Sequence, residues 1–66
     1  MSYEIVERVA VLGKSGTTTK ELNRISYGGR QPVWDLRRWK DGEMLKGITL
    51  TDKELDELKR VLQERG

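Results

Sequence analysis

The sequence predicts an α+β fold, in which a four-stranded curved antiparallel sheet is followed by one C-terminal helix and the chain forms a homodimer. Strand-like runs separated by glycine-containing turns occupy the first fifty residues, which indicates consecutive antiparallel strands. An amphipathic pattern behind a threonine cap then occupies the last sixteen. The small size of the chain provides the reason for expecting two copies.

The chain has 66 residues, so residues 1–66 are expected to form a single domain. A domain this small buries a modest fraction of its surface and is marginal alone. It has no cysteine and no histidine, which excludes disulfides and Cys/His zinc sites. Oligomerisation is the remaining way to gain stability.

Tyr3–Leu12 is predicted to be the first strand, with Tyr3, Ile5, Val9 and Val11 on one face and Val6, Ala10 and Leu12 on the other. The run Val9–Leu12 is apolar on both faces. It therefore predicts burial on both sides, with the helix covering one face and a second copy of the chain covering the other.

Thr17–Tyr27 is predicted to be the second strand and to be joined to the third through Gly28-Gly29, where both residues accept a positive φ. On the second strand, Lys20, Leu22, Arg24 and Ser26 alternate with Glu21, Asn23, Ile25 and Tyr27. Neither face is purely apolar. A β-bulge near Asn23 would place Lys20 and Arg24 on different sides of the sheet, so the alternation of residues along the strand does not decide which face each one occupies.

Val33–Trp39 is predicted to be the third strand and Leu45–Leu50 the fourth, with a turn between them at Lys40–Glu43. We assign Trp34 and Leu36 to the core. That assignment places Arg37 and Trp39 on the opposite face, where an exposed tryptophan beside an arginine favours a binding role. In the alternative interpretation, Trp39 fills a dimer core and Arg37 pairs with Asp35 or Glu21.

Thr51 is predicted to cap the helix, because Thr51 and Glu54 have the spacing of a capping box. Behind this cap, an apolar stripe runs along one side of the helix and is expected to pack on the sheet or on a partner helix. The stripe consists of Leu55, Leu58, Val61 and Leu62.

The charge pattern, one local motif and the apolar runs of the chain limit the classes of function. Residues 14–46 carry eight Lys and Arg against four acids, although the whole chain has a net charge of only +2. Gly13-Lys14-Ser15 is similar to the end of a phosphate-binding loop, but Arg8 occupies the position of the first glycine and strand-prone threonines follow, which excludes an NTPase. No apolar run is long enough to span a membrane, and the N-terminus does not fit a signal peptide. We therefore expect a soluble cytoplasmic protein.

Four features in this order resemble the transcriptional positive cofactor four family of single-stranded DNA-binding proteins, particularly its short bacterial, YdbC-like members. They are the basic and polar strand Lys20–Tyr27, the motif Asp35-Leu36-Arg37-Arg38-Trp39, the segment Asp41–Met44 leading to Lys46–Leu50, and the capped helix. The resemblance covers about residues 17–63. It implies a dimer whose curved sheets present basic and aromatic residues to single strands, with the helices near the dimer interface.

Carried over by position, the resemblance matches Lys20 to a basic residue that contacts the DNA backbone. It matches Tyr27 to an aromatic residue that stacks on nucleobases and Arg37 to the arginine of the Asp-hydrophobe-Arg motif. It matches Trp39 to the tryptophan that ends this motif and Lys46 to the lysine before Gly-Ile. Eukaryotic members have one more residue between that arginine and that tryptophan. Their basic, serine-rich tail is absent here, so their regulatory role in transcription is not implied.

The predicted function is sequence-tolerant binding of single-stranded DNA in transcription, replication or repair, with RNA left open, in a bacterial cytoplasm and in association with the nucleoid. Lysines and arginines would neutralise phosphates while aromatic rings stack on unpaired bases. The alternative is a protein-interaction module that docks an acidic partner. We expect no enzyme activity, no metal, no cofactor, no membrane association and no small-molecule substrate. The candidate nucleic-acid-binding residues are Lys14, Lys20, Asn23, Arg24, Ser26, Tyr27, Arg37, Trp39 and Lys46.

Overall fold

The computed structural model describes residues 2–66 and contains four strands followed by one helix. The α+β class and the β-β-β-β-α order are confirmed. The second, third and fourth strands begin or end within two residues of the predicted bounds. The elements are β1 (Tyr3–Ser15), β2 (Thr18–Tyr27), β3 (Val33–Lys40), β4 (Glu43–Leu50) and α1 (Asp52–Glu64).

The strands form one open antiparallel sheet in the order β1-β2-β3-β4, so each strand pairs with its neighbour in sequence. The predicted turn chemistry is confirmed at both glycine positions. Gly28 and Gly29 have φ angles of 60° and 76°, and Asp41 and Gly42 have 50° and 80°. Positive φ at consecutive turn residues matches the right-handed twist of the strands on either side.

Strand β1 differs most from its prediction, because it extends to Ser15 and its register with β2 shifts three times. Each shift leaves one residue of β1 without a partner: Val6, Val9 and Leu12. A bulge adds a residue and reverses the alternation beyond it. The strict alternation of faces predicted for β1 is therefore wrong. The bulge considered near Asn23 lies on the partner strand, and β2 itself is regular.

The pairing of β2 with β3 is unbroken from Thr18 to Ile25, so directly opposed residues define the two faces of the sheet. The Arg37 face is the face that carries Glu21, Asn23, Ile25, Asp35, Arg37 and Trp39. The Trp34 face is the face that carries Lys20, Leu22, Arg24, Trp34, Leu36 and Arg38. Lys20 and Arg24 consequently share a face, which the sequence had left open.

The buried centre of the chain lies on the Arg37 face. Ile25 and Asp35 have no exposed surface, Asn23 is 1% exposed and Trp39 is 5% exposed. The assignment of the core to the face of Trp34 and Leu36 is therefore wrong for a single chain, since both residues are only half-buried. The two faces differ in how much of their surface is covered. Ion-paired and aromatic side chains cover the Arg37 face, whereas α1 leaves much of the Trp34 face exposed.

Helix α1 begins as predicted, with both hydrogen bonds of the capping box between Thr51 and Glu54. It lies near β3 and β4 and buries no residue completely. Its apolar stripe is largely exposed, with Leu58 at 41% and Leu62 at 59%. The expectation that it covers β1 is wrong, since Val9, Val11 and Leu12 are exposed as well. Within residues 2–66, no helix is long and apolar enough to cross a membrane.

Candidate nucleic-acid interface

A buried ion pair occupies the middle of the Arg37 face. The Arg37 guanidinium donates from Nε to Asp35 Oδ1 at 2.5 Å and from Nη2 to Asp35 Oδ2 at 2.7 Å. The Tyr27 hydroxyl donates to Asp35 Oδ2 at 2.6 Å, and Arg37 Nη1 donates to the Leu45 carbonyl at 2.9 Å. Arg37 therefore pairs with Asp35, as the alternative interpretation held. Most of its donors are used inside the chain.

This arrangement shifts the protonation of its members. Burial, followed by the hydrogen bond to Asp35, raises the pKa of Tyr27 to about 12. The hydrogen bond to Asp35 also raises the pKa of Arg37 above its ordinary value. At neutral pH, Arg37 is therefore a fixed cation and Tyr27 a fixed neutral donor. The network holds the edge of the Tyr27 ring in one place on the face.

Gly47 of β4 makes room for this network. It lies opposite Arg37 in the register of β3 and β4. A Cβ atom built at Gly47 would lie 2.1 Å from Arg37 Cβ and 2.6 Å from the Leu36 carbonyl oxygen. Both contacts are far below van der Waals distance, so only glycine fits there without a shift of the strands. The Lys46-Gly47-Ile48 segment thus has a steric function in addition to its positive charge.

Three aromatic rings meet on the Arg37 face. The Tyr3 ring lies 6.3 Å from the Tyr27 ring and 6.1 Å from the Trp39 ring, in tilted arrangements within the range for favourable aromatic pairs. Tyr3 retains 41% of its exposure, whereas Trp39 retains only 5%. The expectation of an exposed Trp39 is therefore wrong. Register shifts in β1, which alternation alone does not predict, help to bring Tyr3 over it.

A carboxylate lies beside these rings. Glu21 accepts a hydrogen bond from Thr19 Oγ1 at 2.5 Å and one from Asn23 Nδ2 at 3.1 Å, and Arg8 Nη1 lies 3.7 Å from its Oε1. The hydrogen bond from Thr19 is the largest cause of its lowered pKa. Asn23 is almost fully buried and its amide donates to Glu21, so its side chain has no accessible surface with which to contact a nucleobase.

On the Trp34 face, two further candidate residues make contacts within the chain. The Arg24 guanidinium lies 4.6 Å from the centroid of the Trp34 ring and donates to Asp52 Oδ1 at 3.3 Å. Trp34 Nε1 donates to the same oxygen at 2.7 Å. The Ser26 hydroxyl donates to the Arg30 carbonyl at 2.7 Å. These contacts fasten the start of α1 to the sheet and fix the end of the β2–β3 loop.

The remaining candidate residues, which are lysines, lie near the outside of the sheet. Lys14 and Lys20 line a depression of about 270 Å³ beside the β1–β2 turn, together with Arg38. Lys46 is exposed on β4. Sequence reasoning omitted Arg38, although it lies directly opposite Lys20, and it omitted Tyr3 and Arg8 of β1. The charge of Arg38 was visible in the sequence, but its position required the β2–β3 register.

The described part of the chain offers no group of three or more His, Cys, Asp or Glu side chains arranged to hold a metal ion. Asp35 and Glu21 already accept hydrogen bonds from neighbouring side chains. The arrangement can offer cationic groups to phosphates and aromatic surface to flat rings. Those are the two interactions on which sequence-tolerant binding of single strands depends.

Comparison with known proteins adds two findings. Residues 14–61 match the family model described as Transcriptional Coactivator p15 (PC4). The chain is also 36% identical over 63 residues to a protein of Treponema pallidum (strain Nichols) that is described only as an uncharacterized protein. That alignment covers 91% of this chain and 74% of the relative. The family match includes the Asp35–Arg37 pair, Gly47 and most of α1, but excludes residues 3–13.

Proposed function

This chain belongs to the family of the transcriptional coactivator p15 (PC4), a non-enzymatic DNA-binding family, and we propose that it binds single-stranded DNA across the Arg37 face as a homodimer. The observation that carries the proposal is the juxtaposition of aromatic rings with cationic groups on this face. Tyr3, Tyr27 and Trp39 lie together there, and Lys14 lies at the rim.

The proposed path of the DNA strand follows from the positions of the lysine and arginine side chains. Bases stack near the aromatic rings, and phosphates run toward the β1–β2 turn. There Lys14, Lys20 and Arg38 border one depression and can neutralise the backbone from both faces of the sheet. Exposed Lys46 adds a further contact. Asn23, Arg24 and Ser26 make contacts within the chain and are not part of the proposed surface, and Arg37 acts mainly by holding Tyr27.

Duplex DNA stacks its bases internally, so it would offer only phosphates to this surface. Stacking on an aromatic ring contributes about 1–3 kcal/mol per base, and a duplex would forgo that contribution. Aromatic faces do not read the 2′-hydroxyl, so single-stranded RNA is expected to compete. No arrangement within residues 2–66 requires a particular base, in keeping with sequence-tolerant binding in the bacterial cytoplasm.

The exposed apolar surface supports the homodimer. Leu58, Val61 and Leu62 of α1 are 41–59% exposed, and Ile48 of β4 is 58% exposed. A second copy of the chain that covers this stripe would bury surface that a 66-residue domain needs for stability. The Arg37 face would stay accessible on each copy, because the stripe belongs to the helix.

The test is fluorescence anisotropy with labelled oligothymidine, the corresponding duplex and an RNA of equal length, at low and moderate salt. We expect the single strands to bind more tightly than the duplex and their affinity to fall as salt rises. Lys14→Ala should weaken binding and lower the salt dependence, because one phosphate contact contributes about 0.7 to the slope of log K against log salt for single strands.

Lys59→Ala is the matched control, since it removes the same charge from the exposed surface of α1, where Lys59 lies 3.9 Å from Asp56. It should leave both the affinity and the salt slope unchanged. Equal effects of the two variants would indicate that only net charge matters and would contradict the proposed path. Absence of binding to any oligonucleotide at low salt would refute the function and favour an acidic protein partner instead.

A further inference from the structure

An open cavity of about 470 Å³ lies on the Arg37 face, at the end of the sheet that carries the β1–β2 and β3–β4 turns. Its volume is within the range of small-ligand sites, about 300–1,000 Å³. Strand β1 supplies four of its lining residues, including Tyr3, Arg8 and Lys14, and Glu21 and Trp39 come from β2 and β3. A pocket of this size has room for one nucleotide but not for a folded partner.

The aromatic surface of this cavity belongs to Tyr3. Trp39 also lines it, but Trp39 is 5% exposed, and its Nε1 has no hydrogen-bond partner among residues 2–66. Tyr3 is 41% exposed and lies against both Trp39 and Tyr27. Its ring is therefore supported from behind and accessible in front, as a stacking platform requires.

The charges of the cavity give a bound nucleotide a direction. The ionised Glu21 carboxylate, with 13% of its side chain exposed, would repel a phosphate. The Arg8 side chain is 70% exposed, and its 3.7 Å ion pair with Glu21 is weak enough to exchange for another anion. A phosphate is therefore favoured at the outer positions of Arg8 and Lys14, and the base is favoured at Tyr3.

We propose that this cavity holds one unstacked nucleotide of the bound strand, with its base on Tyr3 and its phosphate between Arg8 and Lys14. The inference rests on the proposed function and adds a subsite that strand β1 supplies. Tyr3, Ile5 and Arg8 lie outside the range that matches the family, residues 14–61. Strand β1 thus supplies to the subsite three residues that the family match does not cover.

The test compares oligothymidine with an abasic deoxyribose-phosphate oligomer of equal length, for the wild-type chain, Tyr3→Leu and Tyr3→Phe. Leucine keeps an apolar side chain against Trp39 and removes the aromatic face. We expect Tyr3→Leu to weaken binding to oligothymidine about tenfold, within the range for stacking on one base, and to leave binding to the abasic oligomer unchanged. Tyr3→Phe should retain the wild-type affinity for both.

Arg8→Gln should give the complementary result. It removes a phosphate contact and not a stacking contact, so both oligomers should bind more weakly by a similar factor and with a lower salt slope. A Tyr3→Leu variant that binds oligothymidine as the wild type does would overturn the subsite while the proposed function stands. A wild-type chain that binds neither oligomer would overturn the proposed function itself, so the two failures are distinguishable.

A second measurement decides the matter even if Tyr3→Leu does not fold. In Trp34→Phe, Trp39 is the remaining tryptophan, and it lines the cavity. Oligothymidine should quench its emission with the same midpoint as the anisotropy titration. In Trp39→Phe, the remaining Trp34 lies on the opposite face and should show no such quenching. Unchanged emission of Trp39 at saturating oligothymidine would overturn the subsite.

Discussion

Asp35 has no exposed surface, and burying its charge is affordable only because Arg37 and Tyr27 both donate to it. Removing one partner of a buried ion pair costs about 3–5 kcal/mol, because the other charge is left uncompensated. The whole stability of a domain of this size is about 3–10 kcal/mol. Weaker DNA binding by an Arg37→Ala variant would therefore report lost stability as well as any lost contact with DNA. Lys14 is the more informative position.

The Tyr27 hydroxyl provides a direct measure of this network. With its pKa raised to about 12, Tyr27 should ionise well above the ordinary value of 10.0, and absorbance of tyrosinate during an alkaline titration detects this. Asp35→Asn removes an anion that raises this pKa, so the transition should move to lower pH. Tyr27→Phe should abolish the transition near pH 12. A wild-type chain without absorbance change in that range would contradict the buried hydrogen bond.

The same shift predicts how stability depends on pH. A pKa raised by folding means that the unfolded chain loses the Tyr27 proton first, near pH 10, while the folded chain still holds it. The contribution of Tyr27 to the free energy of unfolding is therefore complete below pH 10 and is lost as the pH rises toward 12. The stability difference between wild type and Tyr27→Phe should shrink over that interval.

Among the structural elements, the β3–β4 pair depends on Gly47. Gly47→Ala places a methyl group against Arg37 Cβ and the Leu36 carbonyl, and overpacking of this kind costs about 1–3 kcal/mol. Gly13→Ala is the matched control, because a Cβ at Gly13 meets nothing within 4 Å. Urea denaturation should show a lower midpoint for Gly47→Ala alone. Equal midpoints for the two variants would show that β4 can move away at no cost.

Local signals predicted the elements better than they predicted burial. The turns at Gly28-Gly29 and Gly42 and the cap at Thr51 depend on a few neighbouring residues, so the sequence identified them correctly. The burial of Trp39 on β3 depends on Tyr3 of β1, which is distant in the chain and reaches Trp39 across β2. Bulges at Val6, Val9 and Leu12 set that geometry, and exposed apolar residues carry no signal of a bulge.

Which face of the sheet carries the proposed DNA-binding residues likewise depends on the register between β2 and β3. Lys20 and Arg37 were both candidates from charge and family resemblance, yet the β2–β3 register places them on opposite faces. Arg24 was a candidate for the same reason, and its position above Trp34 depends on a helix start 28 residues later in the chain. Composition indicates a nucleic-acid surface, whereas pairing between strands determines which side of the sheet carries it.

For the whole molecule, the exposed stripe of α1 predicts assembly. Leu62→Glu introduces a charge at a side chain that is 59% exposed in the single chain and covered in the proposed dimer. Light scattering after size exclusion should give twice the 7.7 kDa chain mass for the wild type and the single mass for Leu62→Glu. Val6→Glu is the control, since Val6 is 53% exposed but lies on β1, outside the run Val9–Leu12. A dimeric Leu62→Glu variant would contradict an interface at the helix stripe.

The three register shifts of β1 have a consequence for solubility as well as for geometry. β1 is one of the two edge strands of the sheet, and a long apolar edge is a ready template for fibril growth, because its unpaired amides can recruit another strand. Interruptions at Val6, Val9 and Leu12 leave no more than three consecutive paired residues between them. A strand so interrupted cannot align with a flat neighbour over its length. The irregularity of β1 is thus expected to disfavour edge-to-edge pairing between chains while leaving Tyr3 and Arg8 accessible.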